Sequence, residues 1–145
     1  MKILHTSDWH LGRLLLGERR DTVFTQFLDW LLTTLKTEQC DALLIAGDIF
    51  DSTVPGTSAQ KLYYSFLARV RQETACRTVV ITGGNHDSPM LLNAPRDLLS
   101  AFDIHVVGRA ASDPANEVVV IRNPDATPAA VVCAVPFLRE GDLST

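Results

Sequence analysis

Thr78-Val79-Val80-Ile81-Thr82-Gly83-Gly84-Asn85-His86-Asp87 joins an apolar, β-branched run to a turn that carries an amide, an imidazole and a carboxylate. An uninterrupted β-branched run reads as a strand buried on both faces, the pattern of a parallel sheet. Gly83 and Gly84 predict a sharp turn at backbone angles that other residues resist. Asn85 and His86 are then delivered at the carboxyl end of the strand, where open α/β sheets place their ligands. An amide oxygen can bind a metal, an imidazole can ligate or move a proton, and Asp87 is placed to fix the tautomer of His86. Taken alone, a turn rich in Gly, Asn and Asp is also what an ordinary turn looks like.

Two earlier stretches repeat the arrangement. Lys2-Ile3-Leu4-His5 leads into Thr6-Ser7-Asp8-Trp9-His10, and Ala42-Leu43-Leu44-Ile45-Ala46 leads into Gly47-Asp48-Ile49-Phe50-Asp51. Asp8 and His10 are two apart, so an extended segment puts both side chains on one side, able to clamp one cation. Three strands each ending in a donor from the set Asp, His and Asn predict an oxygen and nitrogen site suited to manganese, magnesium, iron or zinc.

Between the strands the apolar spacing changes to three and four. Val23, Phe24, Phe27, Leu28, Trp30, Leu31 and Leu35 predict an amphipathic helix from Asp21 to about Glu38, with Asp21 as its N-cap. Leu62, Tyr63, Phe66, Leu67 and Val70 mark a second helix from Ser58 to about Gln72. Pro89 to Phe102 reads as short helical turns interrupted at Pro95, followed by strand at Ile104 to Gly108. Glu117–Ile121 and Ala129–Val135 flank Asn123-Pro124-Asp125-Ala126, the signature of an antiparallel hairpin. The chain therefore opens βαβαβα and closes in antiparallel strands. Its crossovers are expected to be right-handed.

Composition narrows the functional classes. The chain has 145 residues, 13 Lys and Arg against 17 Asp and Glu, and a net charge of −4. A protein that gripped duplex DNA by long-range attraction alone would be basic, so this one is expected to be a poor stand-alone DNA binder. Two metal ions would add positive charge locally. Arg13, Arg19 and Arg20 cluster after the first motif, and two readings stand for them: solvated surface or contact with phosphates. Leu14-Leu15-Leu16 beside them is expected to be buried under the loop. No apolar run approaches the roughly 20 residues of a membrane span, and Met1-Lys2 leads straight into a strand, so a cytoplasmic location is expected. Cys40, Cys76 and Cys133 are odd in number and widely spaced, as buried or partly buried thiols are. His5 and His105 lie inside strands and read as structural, and Trp9 as packing rather than base stacking.

Asp8-Trp9-His10, Gly47-Asp48 through Asp51 and Gly84-Asn85-His86-Asp87 together resemble the first three motifs of the calcineurin-like metallophosphoesterases. The fuller wording, His5-Thr6-Ser7-Asp8-Trp9-His10-Leu11-Gly12 with Gly84-Asn85-His86-Asp87-Ser88, is similar to the nuclease subunits of bacterial double-strand-break complexes. The likeness runs from Met1 to about Arg139. It implies the amino-terminal portion of a four-layer αββα sandwich, a single partial domain over residues 1–145. It also implies two divalent ions, manganese foremost with magnesium as the alternative. Asp8 and His10 would hold the first ion, Asp48 would bridge both, and Asn85 would bind the second. His86 would stand by the scissile phosphate, with Asp87 orienting it and Asp51 supporting the ligands from outside. The implied activity is double-strand exonuclease and single-strand or hairpin endonuclease chemistry in repair and recombination. The implied partners are DNA, an SMC-like ATPase and a second copy of the chain, joined through a helix bundle that includes Leu98 and Phe102.

The same three motifs also serve phosphomonoesterases and cyclic-nucleotide phosphodiesterases, and a non-catalytic dimerising module is the reading from outside enzymology. The family's site needs further histidines from later Gly-His motifs. The four present, His5, His10, His86 and His105, all precede the hairpin. An amino-terminal fragment with a weakly occupied site and no appreciable nuclease activity of its own is therefore expected.

Overall fold

Four apolar runs pair side by side as β1 (Ile3–Thr6), β2 (Ala42–Ala46), β3 (Thr78–Thr82) and β4 (Ile104–Val107), in that order and all parallel. The structure, a computed structural model, describes residues 1–142. Because the order steps one way across the sheet, crossovers of one hand leave their helices on one face. There α1 (Asp21–Thr37) packs against α2 (Thr57–Glu73), while α3 (Pro89–Asn93) and α4 (Arg96–Ser100) cover β4.

Strand residues divide by parity, as pleating requires. Leu43, Ile45, Val79, Ile81, Ile104 and Val106 share one core with Leu28, Leu31, Leu35, Phe66, Leu67 and Val70 of the helices. Full burial of each such leucine contributes about 2 kcal/mol. On the other face, Val80 and Val107 meet Val119 and Ala134. These belong to the second layer, where β5 (Val118–Arg122) pairs antiparallel with β6 (Pro128–Cys133). The described residues thus hold a helix layer, a parallel sheet and a two-stranded piece of a facing sheet.

Several local expectations are corrected. Arg20 occupies the N-cap position of α1 without a side-chain cap, and Asp21 sits in the first turn with its carboxylate on the Arg19 guanidinium. The buried face of α1 includes Leu32, while Val23 and Trp30 turn to solvent, where Trp30 stacks on Phe27 at 6.2 Å. Glu117 leaves the strand for a 3-10 turn, because its carboxylate accepts the Ala111 N–H at 2.7 Å. Leu14, Leu15 and Leu16 are exposed rather than buried. Leu15 and Glu18 exchange backbone hydrogen bonds, and Leu16 and Gly17 both adopt positive φ, so a two-residue hairpin tip projects outward. Cys40 and Cys76 are buried, and burial pushes the Cys76 thiol up to about 12, but Cys133 on β6 is exposed.

Candidate metal centre

Past the ends of β1 and β2 the two chains continue side by side. Asp8 N–H donates to Gly47 O at 3.1 Å, His10 N–H to Asp48 O at 2.9 Å and Leu11 N–H to Ile49 O at 2.9 Å. Leu11 and Phe50 are fully buried beneath them and anchor the pair to the core. Within this ladder Asp8, His10 and Asp48 adopt φ of 57°, 47° and 50°. A left-handed non-glycine residue costs about 1–2 kcal/mol and persists only where its surroundings over-determine it. Here the strain falls on three of the predicted donors, and the ladder, held by buried apolar anchors, is what sustains it.

Gly83 and Gly84 are required for a different reason from the one their turn suggested. Neither adopts positive φ; the left-handed glycine among the three at these two strand ends is Gly47, at 80°. A Cβ on Gly84 would lie 2.1 Å from Asp48 Oδ1 and 2.3 Å from Asp48 N, and one on Gly83 would lie 2.5 Å from Gly108 O. The missing side chains let the β3 turn press against the β2 loop and the end of β4. One consequence is that His86 N–H donates to Asp48 Oδ1 at 3.0 Å.

The side chains then converge. His10 Nε2 lies 3.9 Å from Asp8 Oδ1 and 3.8 Å from Asp48 Oδ2. His10, Asp48 and His86 offer donor atoms that all lie within 4.8 Å of one another, and the two imidazoles cross edge to face at 5.0 Å. Asp51 Oδ1 sits 3.3 Å from His10 Nδ1, a buried nitrogen without an aligned hydrogen-bond partner. A carboxylate there favours the proton on Nδ1, which leaves the Nε2 lone pair facing Asp8 and Asp48. His86 Nδ1 instead meets Asp51 O at 3.1 Å, and since a carbonyl only accepts, Nδ1 carries a proton and Nε2 is the nitrogen left with a lone pair. Asn85 is exposed at the tip of the same turn.

Asp87 does not have the expected role beside His86. Its carboxylate is fully buried and accepts three backbone N–H groups, from Ile49 at 3.2 Å, Phe50 at 2.9 Å and Gly84 at 2.9 Å. Both oxygens are committed to joining the second and third loops, because those donors would otherwise be buried without partners.

Residues 1–133 match the calcineurin-like phosphoesterase family. The chain belongs to that family. It is 43% identical over 145 residues to the SbcD subunit of the nuclease SbcCD of Escherichia coli, covering all of this chain and 35% of that protein. It is 39% identical to the protein of the same name from Rhodobacter capsulatus and 38% identical to that of Bacillus subtilis, covering 99% of this chain and 36% of each. The chain therefore spans about a third of the length of these curated relatives. A phosphoesterase assignment and an oxygen and nitrogen donor cluster both point to divalent metal.

Around this phosphoesterase centre the remaining candidates separate. Arg13 is exposed and Arg20 half-buried beside the first loop, whereas Arg19 is already held by Asp21 and Ser58. Trp9 is buried, donates to Thr6 Oγ1 at 3.0 Å and packs edge-on against Phe27 and Phe66, which removes it from base stacking. His105 pairs with Asp103 at 2.8 Å, and His5 lines a cavity beneath the hairpin with Leu44, Val80 and Cys133. Leu98 and Phe102 are both exposed. Among the described residues no helix is long and apolar enough to cross a membrane. What sequence reasoning missed is the segment after β6, where Phe137 N–H donates to Gly83 O at 2.8 Å. Backbone contacts of this kind leave no mark on residue type.

Proposed function

We propose that this phosphoesterase chain carries the amino-terminal half of a metal-dependent DNA phosphodiesterase site, in a cytoplasmic nuclease subunit of the SbcCD type. The observation that carries the reading is the convergence of Asp8 Oδ1, His10 Nε2 and Asp48 Oδ2, with His10 Nδ1 backed by Asp51. One nitrogen and two carboxylate oxygens on over-determined backbone fit a divalent ion of the manganese or magnesium kind, and manganese is the ion proposed. Asp8 and His10 would hold one ion, Asn85 a second, and Asp48 both; Asp48 Oδ1 keeps a lone pair for this while accepting the His86 N–H. When bound, a pair of such ions polarises a phosphoryl oxygen and supplies hydroxide at neutral pH.

The chain's own residues do the rest. His86, exposed and anchored through Nδ1 to Asp51 O, keeps Nε2 for the substrate, where a protonated ring can donate to the departing oxygen. Asp87 holds the two loops in register so that Asp48 and His86 stay paired. Arg13 and Arg20 are the proposed phosphate contacts, which an acidic protein needs locally if it is to hold DNA. The rest of the ligand set and an SbcC-type SMC-like ATPase are taken to complete the working enzyme, the 145 residues alone binding metal weakly and turning over no DNA. The exposed Leu98 and Phe102 supply a self-complementary apolar patch for a two-fold homodimer.

Manganese titration and hydrolysis of linear duplex DNA in the intact protein test this. Asp48→Ala is expected to abolish both metal binding and hydrolysis, and His86→Ala to keep the metal and lose turnover. Unchanged metal stoichiometry in Asp48→Ala would reject the bridging role, and turnover of p-nitrophenyl phosphate in preference to DNA would replace the nuclease reading by a phosphomonoesterase one.

A further inference from the structure

The turn that carries Asn85 and His86 is held at both ends by one segment arriving from the far side of the molecule. After β6 the chain runs through buried Ala134 and Pro136 to Phe137, whose N–H donates to Gly83 O at 2.8 Å. Two residues later the Arg139 guanidinium donates to Asp87 O at 3.4 Å, with its carbon 5.7 Å from the centre of the Phe137 ring. Gly83 and Asp87 are the first and last residues of the turn. The carboxylate of Asp142 fixes the bracket in turn: one oxygen accepts Arg139 N–H at 2.9 Å, and the other accepts Arg109 Nε at 2.8 Å. Those two partners, the Arg139 backbone first, hold the Asp142 carboxyl below the usual carboxylate range. Its side chain is only 2% exposed while that of Arg109 is 61% exposed, so the carboxylate is the buried member of the pair.

We propose that Arg139 is a positioning residue for the phosphoesterase reaction, acting through the Asp87 carbonyl to keep Asn85 and His86 at their stations. The proposal rests on the reading of the site given above. His86 has two anchors of its own, its N–H on Asp48 Oδ1 and its ring on Asp51 O, both in the neighbouring loop. Neither anchor sets how far the turn stands from β4 and the hairpin. At the Gly83 end that distance is also set by the Gly83 N–H, which donates to Val107 O of β4 at 2.9 Å; at the Asp87 end it is Arg139 that ties the turn to the hairpin side, while Asn85 and His86 between them are exposed. Arg139 also lines a cleft with Ser88, Met90, Asn93 and Arg109, so a direct contact with substrate phosphate is the competing role.

The two roles part in kinetics and in spectroscopy. In the intact protein with manganese, Arg139→Ala is expected to lower kcat on linear duplex DNA by about tenfold to a hundredfold, as small displacements of catalytic groups do, with KM within about twofold. Arg139→Lys should recover part of the loss, because an ammonium can still donate to the Asp87 carbonyl. A rise in KM with unchanged kcat, together with a shallower salt dependence of binding, would make Arg139 a phosphate contact and overturn the proposal. A second measurement needs neither metal nor turnover. Nitrogen-15 spectra of the four histidines in the 145-residue chain should show His86 protonated at Nδ1 in the wild type and averaging between tautomers in Arg139→Ala. Arg139→Lys should lie between the two, and His105 should not change. A His86 signal indifferent to both substitutions overturns the proposal whether or not the intact protein cleaves DNA. Failure of the wild type to hydrolyse any phosphodiester instead removes the functional reading and leaves the bracket to be decided by the spectra.

Discussion

Replacing Gly84 by alanine is the sharpest probe of how the site is built. The added methyl would lie 2.1 Å from Asp48 Oδ1, 2.3 Å from Asp48 N and 2.8 Å from Asp48 Cγ. Ordinary contact begins at 3.4 Å, so the turn and the Asp48 loop must part by more than an ångström. Neither can yield cheaply. Asp48 O accepts the His10 N–H at 2.9 Å, Asp87 pins Gly84 N at 2.9 Å, and both loops sit on a core without slack. Overpacking of this kind costs about 1–3 kcal/mol, which for a chain of this length lowers the melting temperature by roughly 3–10 °C. The larger effect falls on the metal. A donor displaced by an ångström is a donor lost, and a drop in manganese affinity of about a hundredfold is expected, at least as large as the effect of disturbing a ligand's outer partners. Gly141→Ala, with nothing within 4 Å of its new methyl, is the control and should alter neither quantity. Calorimetric manganese titration alongside thermal melts reads both. Gly84→Ala with manganese affinity within twofold of wild type would show that Asp48 is not held where the metal needs it, and the reasoning would fail.

Asp87→Asn replaces one of two accepting oxygens by an amide that faces N–H donors, and a loss of about 2–4 kcal/mol is expected in urea unfolding; an unchanged midpoint would mean that the clamp between the loops contributes nothing. Leu98→Asp is expected to convert a dimer into a folded monomer by light scattering, since a charge on a two-fold interface enters twice; a variant that stays dimeric places the interface elsewhere. The carboxyls of Glu73, Asp125 and Asp142 are held below their ordinary values, by Lys36 and Arg69, by Thr127, and by Arg139 and Arg109 respectively. A depressed folded-state value stabilises above the unfolded value and is lost as pH falls through the folded one. Melting temperature is therefore expected to hold above about pH 5 and to decline from about pH 4 downward, and Asp142→Asn should flatten part of that decline.

The parallel sheet and its candidate donors were legible because their signals are local. Three apolar runs followed by Asp8 and His10, by Asp48 and by Asn85 and His86 state both the strands and the loop ends, since a parallel strand must be apolar throughout and its carboxyl end is where polar residues can resume. The hairpin was equally plain from its turn residues, whereas Leu98 and Phe102 were singled out by the family resemblance, since their spacing alone reads as core.

What the residues could not state was which carboxylate serves which imidazole. Adjacency in sequence pairs Asp87 with His86, yet the fold turns Asp87 inward to three backbone N–H groups, brings the Asp51 carboxylate to His10 and gives His86 only the Asp51 backbone carbonyl. Residue type announces a donor, but partners are assigned by how closely two loops approach, and here that approach is set by Gly84 lying bare against Asp48. The same limit hid the exposed Leu16, whose side chain is aimed outward by a two-residue turn, and the Arg139 bracket, which acts on carbonyls that every residue carries. Sequence by itself therefore determined the element order, the family and the candidate donors, because each depends on residue type and period. Tertiary structure alone decided the orientation of those donors, because that depends on backbone contacts between segments distant in the chain.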